Sequence, residues 1–209
     1  MMDYLPIAIS VVSLGLAATA LFMSQFRGPK ISVHVGPIVK LYYLMDGGFA
    51  MYIPTTFIND SPRMSVVFRV AISLLRTENP HERFFIEWVS FSAYDPETEC
   101  FRYEDIAHAL AVPGMAEVNK MIWFHWLTSS TPSLHIREGE YDLTIHYWIT
   151  ETGKPVNNIH KFYVSEDTFA KLESYRTGGK DITVEVVLDK QLDRNRLMTP
   201  HEAKALLNV

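Results

Sequence analysis

The sequence predicts a mainly β protein: an antiparallel β-sandwich, preceded by one apolar amino-terminal helix and followed by short helices. Three observations lead to this prediction. The chain opens with an uncharged run from position 4 to position 26. Later segments alternate hydrophobic and polar residues, which is the pattern of strands with one buried face. Strand and helix patterns do not alternate along the chain, so a doubly wound α/β fold is not expected.

The uncharged run at residues 4–26 is predicted to form a transmembrane helix. At about 1.5 Å per residue such a helix is about 35 Å long, which is enough to cross the hydrocarbon core of a bilayer. The first positive side chains, Arg27 and Lys30, follow the run. By the positive-inside rule they predict a single-pass membrane protein with its amino terminus outside and its main domain in the cytoplasm. A periplasmic or extracellular domain is the alternative.

A cleaved signal peptide is the rival interpretation of the same run. Residues 18–20 read Ala-Thr-Ala, which has the small-x-small form of a cleavage site. A secretory signal opens with positive charge, whereas this chain opens with Met1, Met2 and Asp3. We therefore expect the helix to be retained.

Residues 30–189 are predicted to form the β-sandwich domain. Alternation is clearest at residues 64–74, where every second residue is hydrophobic, and residues 141–149 and 182–188 repeat the pattern. Less regular β-rich runs occupy residues 31–35, 49–58, 84–93, 121–127 and 159–164. Turn residues separate the runs, so short antiparallel strands are expected.

Two irregularities interrupt the strand pattern. Pro54 predicts an edge position or a bulge for the run at residues 49–58, because proline cannot donate a ladder hydrogen bond. Residues 95–120 follow no strand period, so they are interpreted as an insertion between strands, with a candidate helix at residues 103–111.

Two carboxyl-terminal helices are predicted from capping residues. Ser165 can cap a helix that runs through Tyr175 and is ended by Gly178. The remaining residues, 190–209, are interpreted as a tail in which residues 200–207 form a helix, with Thr199 as its cap and proline at its first position.

The segment Glu-Gly-Glu-Tyr-Asp-Leu at residues 138–143 resembles the tyrosine corner of immunoglobulin-like and fibronectin-III-like domains. The resemblance implies that the Tyr141 hydroxyl bonds back to the upstream backbone and that Leu143 points inward. Trp88 is a candidate core tryptophan, although no cysteine pair flanks it as in antibody domains. An amino-terminal span followed by such a sandwich is similar to many small uncharacterised bacterial membrane proteins.

Composition and motifs argue against nucleic-acid binding, metal binding and the common types of catalytic site. A net charge of −5 without a block of basic residues does not fit nucleic-acid binding. Cys100 is the single cysteine, so neither a disulfide framework nor a paired-cysteine metal site can form. The eight histidines show no metal-ligand spacing, and no catalytic motif occurs. We therefore expect no metal, no cofactor and no enzymatic activity.

Aromatic residues are the candidate binding residues. Trp123, Trp126 and Trp148 lie in strand-like runs where neighbouring side chains point to opposite faces, so some aromatic surface is left outside the core. It is either covered by residues 95–120 and the carboxyl-terminal helices, or open for docking.

The predicted function is that of a membrane-anchored, non-enzymatic β-sandwich that recruits or scaffolds an unidentified protein partner. Residues 4–26 would contact the lipid bilayer, and small residues four apart within them allow a homo-oligomer. Two alternatives remain open: a module of the cell envelope that binds a glycan or lipid, and a hydrolase whose site cannot be assigned from the sequence.

Overall fold

The computed structural model describes residues 4–26, 28, 30–98 and 100–189, and this part of the chain contains two helices and twelve strands. In chain order these are α1 (Tyr4–Phe26), β1 (Ile31–Val35), β2 (Ile38–Tyr43), β3 (Phe49–Asn59), β4 (Ser65–Val67), β5 (Arg69–Arg76), β6 (Arg83–Asp95), β7 (Cys100–Ile106), β8 (Leu110–Val112), β9 (Ala116–Trp126), β10 (Gly139–Trp148), β11 (Val156–Val164), α2 (Glu166–Thr177) and β12 (Val184–Val187).

Ten strands join one antiparallel sheet in the order β11-β10-β5-β6-β9-β3-β2-β12, with β1 added beside β3 and β7 beside β6. The remaining strands, β4 and β8, pair with each other. The predicted mainly β, antiparallel fold is confirmed, and it is β-sandwich-like. The inner faces of both ends of the sheet share one core, whose largest fully buried aromatic side chains are Tyr43, Phe49, Phe57, Phe91, Phe124 and Phe162.

Strand β6 connects the two halves of the sheet. It pairs with β5 through residues 83–87 and with β9 through residues 88–92. The register with β9 shifts between Trp88 and Ser90, and an extra residue of this kind bends a strand and increases its twist. The long strand can therefore belong to both halves while the sheet folds over its own core.

The predicted single-pass membrane localisation is contradicted. Helix α1 spans Tyr4–Phe26. Within the described part of the chain, no helix is both long and apolar enough to cross a membrane. The transmembrane part of the fold prediction is therefore not supported. The apolar side chains of α1, including Ile9 and Leu14, are exposed.

The predicted strand at residues 64–74 is broken at Phe68 into β4 and β5. Ser65 and Val67 are buried in β4, whereas Val70 and Ile72 are buried in β5, so the buried face changes by one residue at the break. The Phe68 N–H donates to the Trp148 carbonyl at 2.8 Å. The break arises because β4 pairs with β8 while β5 enters the main sheet between β10 and β6.

Residues 103–111 do not form the predicted helix. They belong mainly to β7 and β8, and β7 folds back on β6 as a hairpin. Backbone pairing with β6 and β4 overrides the weak local preference of this segment, as tertiary contacts often do. The interpreted insertion at residues 95–120 thus consists mainly of strand residues, including the first part of the interior strand β9.

Pro54 lies in an interior strand rather than at an edge. Strand β3 has β9 on one side and both β1 and β2 on the other. The Pro54 carbonyl accepts from the Gly36 N–H at 2.8 Å. Because the N and C=O of a strand residue point to the same neighbouring strand, the missing N–H of Pro54 faces the break between β1 and β2, where no ladder hydrogen bond is lost. A Cβ on Gly36 would lie 2.6 Å from Pro54 Cγ, which explains why glycine occupies the break.

Helix α2 follows the cap that the sequence predicts. The Ser165 hydroxyl accepts from the Thr168 N–H at 3.2 Å, and Gly178 caps the other end of the helix. Leu172 is the residue of α2 whose side chain is buried. The predicted helix at residues 200–207 lies outside the described residues.

Tyr43 in β2 is a buried tyrosine with a structural hydrogen bond. Its hydroxyl accepts from the Ile136 N–H at 2.8 Å, and its side chain is 1% exposed. Burial raises the pKa of Tyr43 to about 12, from a usual value of about 10.

This pKa predicts a loss of stability at alkaline pH. An unfolded chain ionises its tyrosines near pH 10, whereas folded Tyr43 keeps its proton until about pH 12. The contribution of the Tyr43 hydroxyl to the free energy of unfolding is therefore complete below pH 10 and is lost as the pH rises from about 10 to about 12. Tyr43→Phe removes the titration, so the stability difference between wild type and variant should narrow as the pH rises from about 10 to about 12. Urea unfolding at a series of pH values measures the free energy of unfolding of both proteins. If the two plots of this free energy against pH run parallel, Tyr43 does not have the raised pKa.

Candidate functional site

The three predicted binding tryptophans do not form one surface. Trp123 is half-buried in β9, where its ring stacks on His125 with 5.2 Å between ring centroids. Trp126 ends the same strand, and its indole N–H donates to the Pro132 carbonyl at 3.1 Å while its ring meets the edge of Phe84. Both indoles are therefore held by contacts within the chain.

Trp148 lies in the other half of the sheet, at the end of β10. Its side chain is 7% exposed, and the Arg69 guanidinium lies 3.9 Å from its ring centroid. The Arg69 guanidinium and the Trp148 ring therefore form a cation–π contact. Because the indole is covered, Trp148 does not present a free docking surface.

The two predicted structural residues, Tyr141 and Trp88, both contact the core. The Tyr141 hydroxyl accepts from the Arg137 N–H at 2.8 Å and donates to the Arg137 carbonyl at 3.1 Å. Its ring stacks on Phe162 at 5.2 Å. Trp88 is half-buried and meets the edge of Phe91 at 5.5 Å.

A concave site lies on the outer face of the β2–β3 region, beside the segment that enters β12. We call it the aromatic cleft, and its volume is about 400 Å³. It is lined by Lys40, Tyr42, Leu44, Tyr52, Phe101, Asp181, Ile182 and Thr183. Alternation along β2 creates it, because Val39 and Leu41 point into the core while Lys40 and Tyr42 point outward.

A chain of hydrogen bonds ends in the aromatic cleft. The Trp123 indole N–H donates to the Tyr42 hydroxyl at 2.8 Å, and the Tyr42 hydroxyl donates to the Tyr52 hydroxyl at 3.2 Å. Burial raises the pKa of Tyr42, so this phenol keeps its proton and remains a donor. The Tyr52 hydroxyl receives the last bond of the chain, which leaves its own hydrogen to donate to an acceptor in the cleft.

The rings of the cleft cover one another. Tyr52 stacks on Tyr42 with 5.4 Å between centroids and on Phe101 with 4.7 Å. Phe101 reaches Tyr52 because the β6–β7 hairpin brings it over the outer face. Tyr52 therefore packs against two other rings of the cleft.

The charges that line the cleft are unequally paired. The Lys40 ammonium lies 3.3 Å from a Glu185 carboxylate oxygen and 4.8 Å from the Phe101 ring centroid. Asp181 is exposed and has no hydrogen bond or ion pair within the described residues. Within the described part of the chain, the charge at the cleft that lacks an ion-pair partner is therefore the carboxylate of Asp181.

Sequence reasoning missed this site. It assigned no strand to residues 38–43 and placed Phe101 in an insertion, so the outward side chains of β2 and the hairpin were not considered together. The signal that was available is the two-residue period from Val39 to Tyr43, in which Lys40 and Tyr42 alternate with apolar residues.

A second polar arrangement crosses the opposite half of the sheet. His146 on β10 contacts the Asn157 side-chain oxygen with Nδ1 at 2.8 Å and the Ser73 hydroxyl with Nε2 at 3.0 Å. A serine nucleophile also needs N–H donors that stabilise an oxyanion. Strand β5, which carries Ser73, pairs on both sides with β10 and β6, so its backbone donors are used in the sheet. We therefore interpret these contacts as cross-strand hydrogen bonds.

The histidines that the sequence places on strands lie apart. His125 stacks on Trp123, His146 bonds Ser73, and His160 lies 2.8 Å from the Asp189 carboxylate. Among the residues that the structure describes, no group of three or more His, Cys, Asp or Glu side chains is arranged to hold a metal ion.

The fold and the cleft define a mainly β, β-sandwich-like protein with an aromatic cleft on one outer face. No family model matches the chain, and no curated protein matches it. Several solved structures are similar to it at low identity, among them the following three.

The first is a FixG-related protein from Vibrio parahaemolyticus, at 8% identity over 66% of this chain and 96% of that one, with a TM-score of 0.36. The second is an uncharacterised β-sandwich protein from Clostridium difficile, at 10% identity over 64% and 85% of the two chains, with a TM-score of 0.29. A family 123 glycoside hydrolase from Clostridium perfringens matches at 8% identity over 63% of this chain and 26% of its own, with a TM-score of 0.31.

Proposed function

We propose that this protein is a β-sandwich interaction module that binds a segment of a protein partner in the aromatic cleft. The observation that carries the proposal is the open space of about 400 Å³ beside Tyr52, Phe101 and Asp181. It combines apolar walls, an available hydroxyl donor and an unneutralised carboxylate. Such a mixture suits a polypeptide segment, which offers apolar, donor and acceptor groups together.

A protein segment fits the cleft better than a glycan does. Sugars bind flat against an aromatic ring, and this requires an open ring face. Tyr52 stacks on both Tyr42 and Phe101, and Tyr42 is only 5% exposed. The Tyr52 hydroxyl and the Asp181 carboxylate, which line the cleft, favour contacts with a side chain and its backbone.

The body of the module is proposed to have the immunoglobulin-like arrangement that the tyrosine corner implies. The two hydrogen bonds between the Tyr141 hydroxyl and the Arg137 backbone support this proposal, because they tie a strand to the chain just before it as in that family of folds.

Site-specific photocrosslinking tests partner binding. A benzoylphenylalanine is placed at Ile182, which lines the cleft and is 43% exposed, in the full chain produced in its host cells. The matched control places the same group at Ile159, which is 68% exposed on β11 in the other half of the sheet. We expect a discrete crosslinked protein from position 182 that is absent from position 159.

The pattern of crosslinks decides the outcome. The same products from both positions, or none from position 182 while the variant protein remains folded by circular dichroism, would contradict the proposed function.

A further inference from the structure

The charges and rings of the aromatic cleft define which partner residue fits it. Resting on the proposed function, we propose that the partner inserts a basic side chain, arginine or lysine, whose charge meets Asp181 and whose aliphatic stem lies along the apolar lining of the cleft.

Charge pairing favours a cation. Among the described residues that line the cleft, Lys40 is the single basic one, and its ammonium is already 3.3 Å from Glu185. Asp181 has no such partner within the described part of the chain, so Lys40, Glu185 and Asp181 together carry one negative charge. An acidic partner residue would add repulsion here, whereas a basic one supplies the missing charge.

The rings beside the cleft already hold one cation of the chain. The electron-rich faces of aromatic rings attract cations, and Lys40 shows this within the chain, since its ammonium lies 4.8 Å from the Phe101 centroid and 6.0 Å from the Tyr94 centroid. The anionic Asp181 lies beside the same cluster of rings.

The apolar lining suits the stem of a long basic side chain. Leu44 and Ile182 contribute aliphatic surface to the cleft, and arginine and lysine bury their methylene groups while the charged end stays at the rim. The Tyr52 hydroxyl remains available to a backbone carbonyl of the partner. The net charge of −5 of the whole chain also attracts a basic partner.

Peptide titrations with the full-length protein test the inference. The probes are two heptapeptides that differ only in the central residue, arginine in one and citrulline, its neutral isostere, in the other. Binding is followed by NMR at the Trp123 indole N–H, which donates into the hydrogen-bond chain of the cleft, and at the backbone amide of Thr183. We expect the arginine peptide to bind about 10-fold more tightly, which corresponds to about 1.4 kcal/mol.

Asp181→Asn should abolish this preference by removing the charge while keeping the shape. Glu151→Gln is the matched control, because Glu151 is also exposed but does not line the cleft. The control variant should keep the full preference for arginine.

Equal affinities for the two peptides, no signal change with either, or an unchanged preference in Asp181→Asn would overturn the inference. None of these results removes a crosslink from position 182, so a specific crosslink together with equal affinities means that the partner binds the cleft without a basic residue. Absence of the crosslink together with arginine selectivity contradicts the proposed function instead.

Discussion

Phe162→Ala is expected to lower the free energy of unfolding by about 3–5 kcal/mol, the usual cost of removing a buried aromatic ring. Phe162 is 1% exposed on β11, stacks on Tyr141 at 5.2 Å and pairs across to Leu188 after β12. The substitution leaves a cavity where the last strand meets the rest of the sheet, and it removes the ring against which Tyr141 packs. Urea denaturation followed by fluorescence measures the loss.

Ile159→Ala on the same strand is the control for Phe162→Ala. Ile159 is 68% exposed, so its truncation should change the free energy of unfolding by no more than about 0.5 kcal/mol. Similar losses in the two variants would mean that Phe162 does not carry the packing assigned to it.

Asn59→Ala is expected to cost about 3 kcal/mol, because it leaves buried backbone groups without partners at about 1–3 kcal/mol each. Asn59 ends β3 and is 1% exposed. Its side-chain amide donates to the carbonyls of Arg63 at 2.8 Å and Val112 at 3.1 Å, and its oxygen accepts from the Ser61 N–H at 3.0 Å. One side chain therefore connects β3, the following turn and β8.

Asn119→Ala provides the comparison for Asn59. Asn119 is exposed on β9, and its side-chain oxygen accepts from the Thr56 hydroxyl. Water can replace this partner, so we expect a change within about 0.5 kcal/mol. Thermal and urea unfolding of both variants measure the difference, and a loss at Asn59 as small as that at Asn119 would show that the buried hydrogen bonds contribute little.

The turn beside the buried hydrogen bonds of Asn59 also requires glycine at position 114. A Cβ on Gly114 would lie 2.2 Å from the Pro62 carbonyl oxygen, so the turn after β8 packs directly against the turn after β3. The Met115 N–H donates to the Ser61 carbonyl across the same contact at 2.9 Å. The fold at this end depends on backbone approach, which no hydrophobic pattern reports.

Elements with strong local signals were predicted well. Residues 141–149 alternate regularly, and β10 runs over Gly139–Trp148 with the predicted face buried. Helix α2 begins after Ser165 because a hydroxyl can satisfy a free N–H in the first turn whatever the surroundings. Both signals are local: a two-residue period and a cap need only neighbouring residues.

Features that depend on a partner strand were not predicted. The break at Phe68 and the strands at residues 100–112 follow from pairing with segments distant in the chain. Proline in the interior strand β3 is tolerated because the break at Gly36 lies opposite it. The sequence also did not show that Trp148 on β10 is covered, because the Arg69 guanidinium that lies over its ring belongs to the neighbouring strand β5.

The sequence by itself determined that the protein is mainly β, that its sheet is antiparallel and that one helix follows Ser165. Its hydrophobic run at residues 4–26 predicted a membrane span that the described helix does not support. Only the tertiary structure brought Tyr42, Tyr52, Phe101 and Asp181 together into one cleft. The physical reason is range: alternation and capping act between near neighbours, whereas the cleft forms from four separate segments that meet only when the sheet assembles.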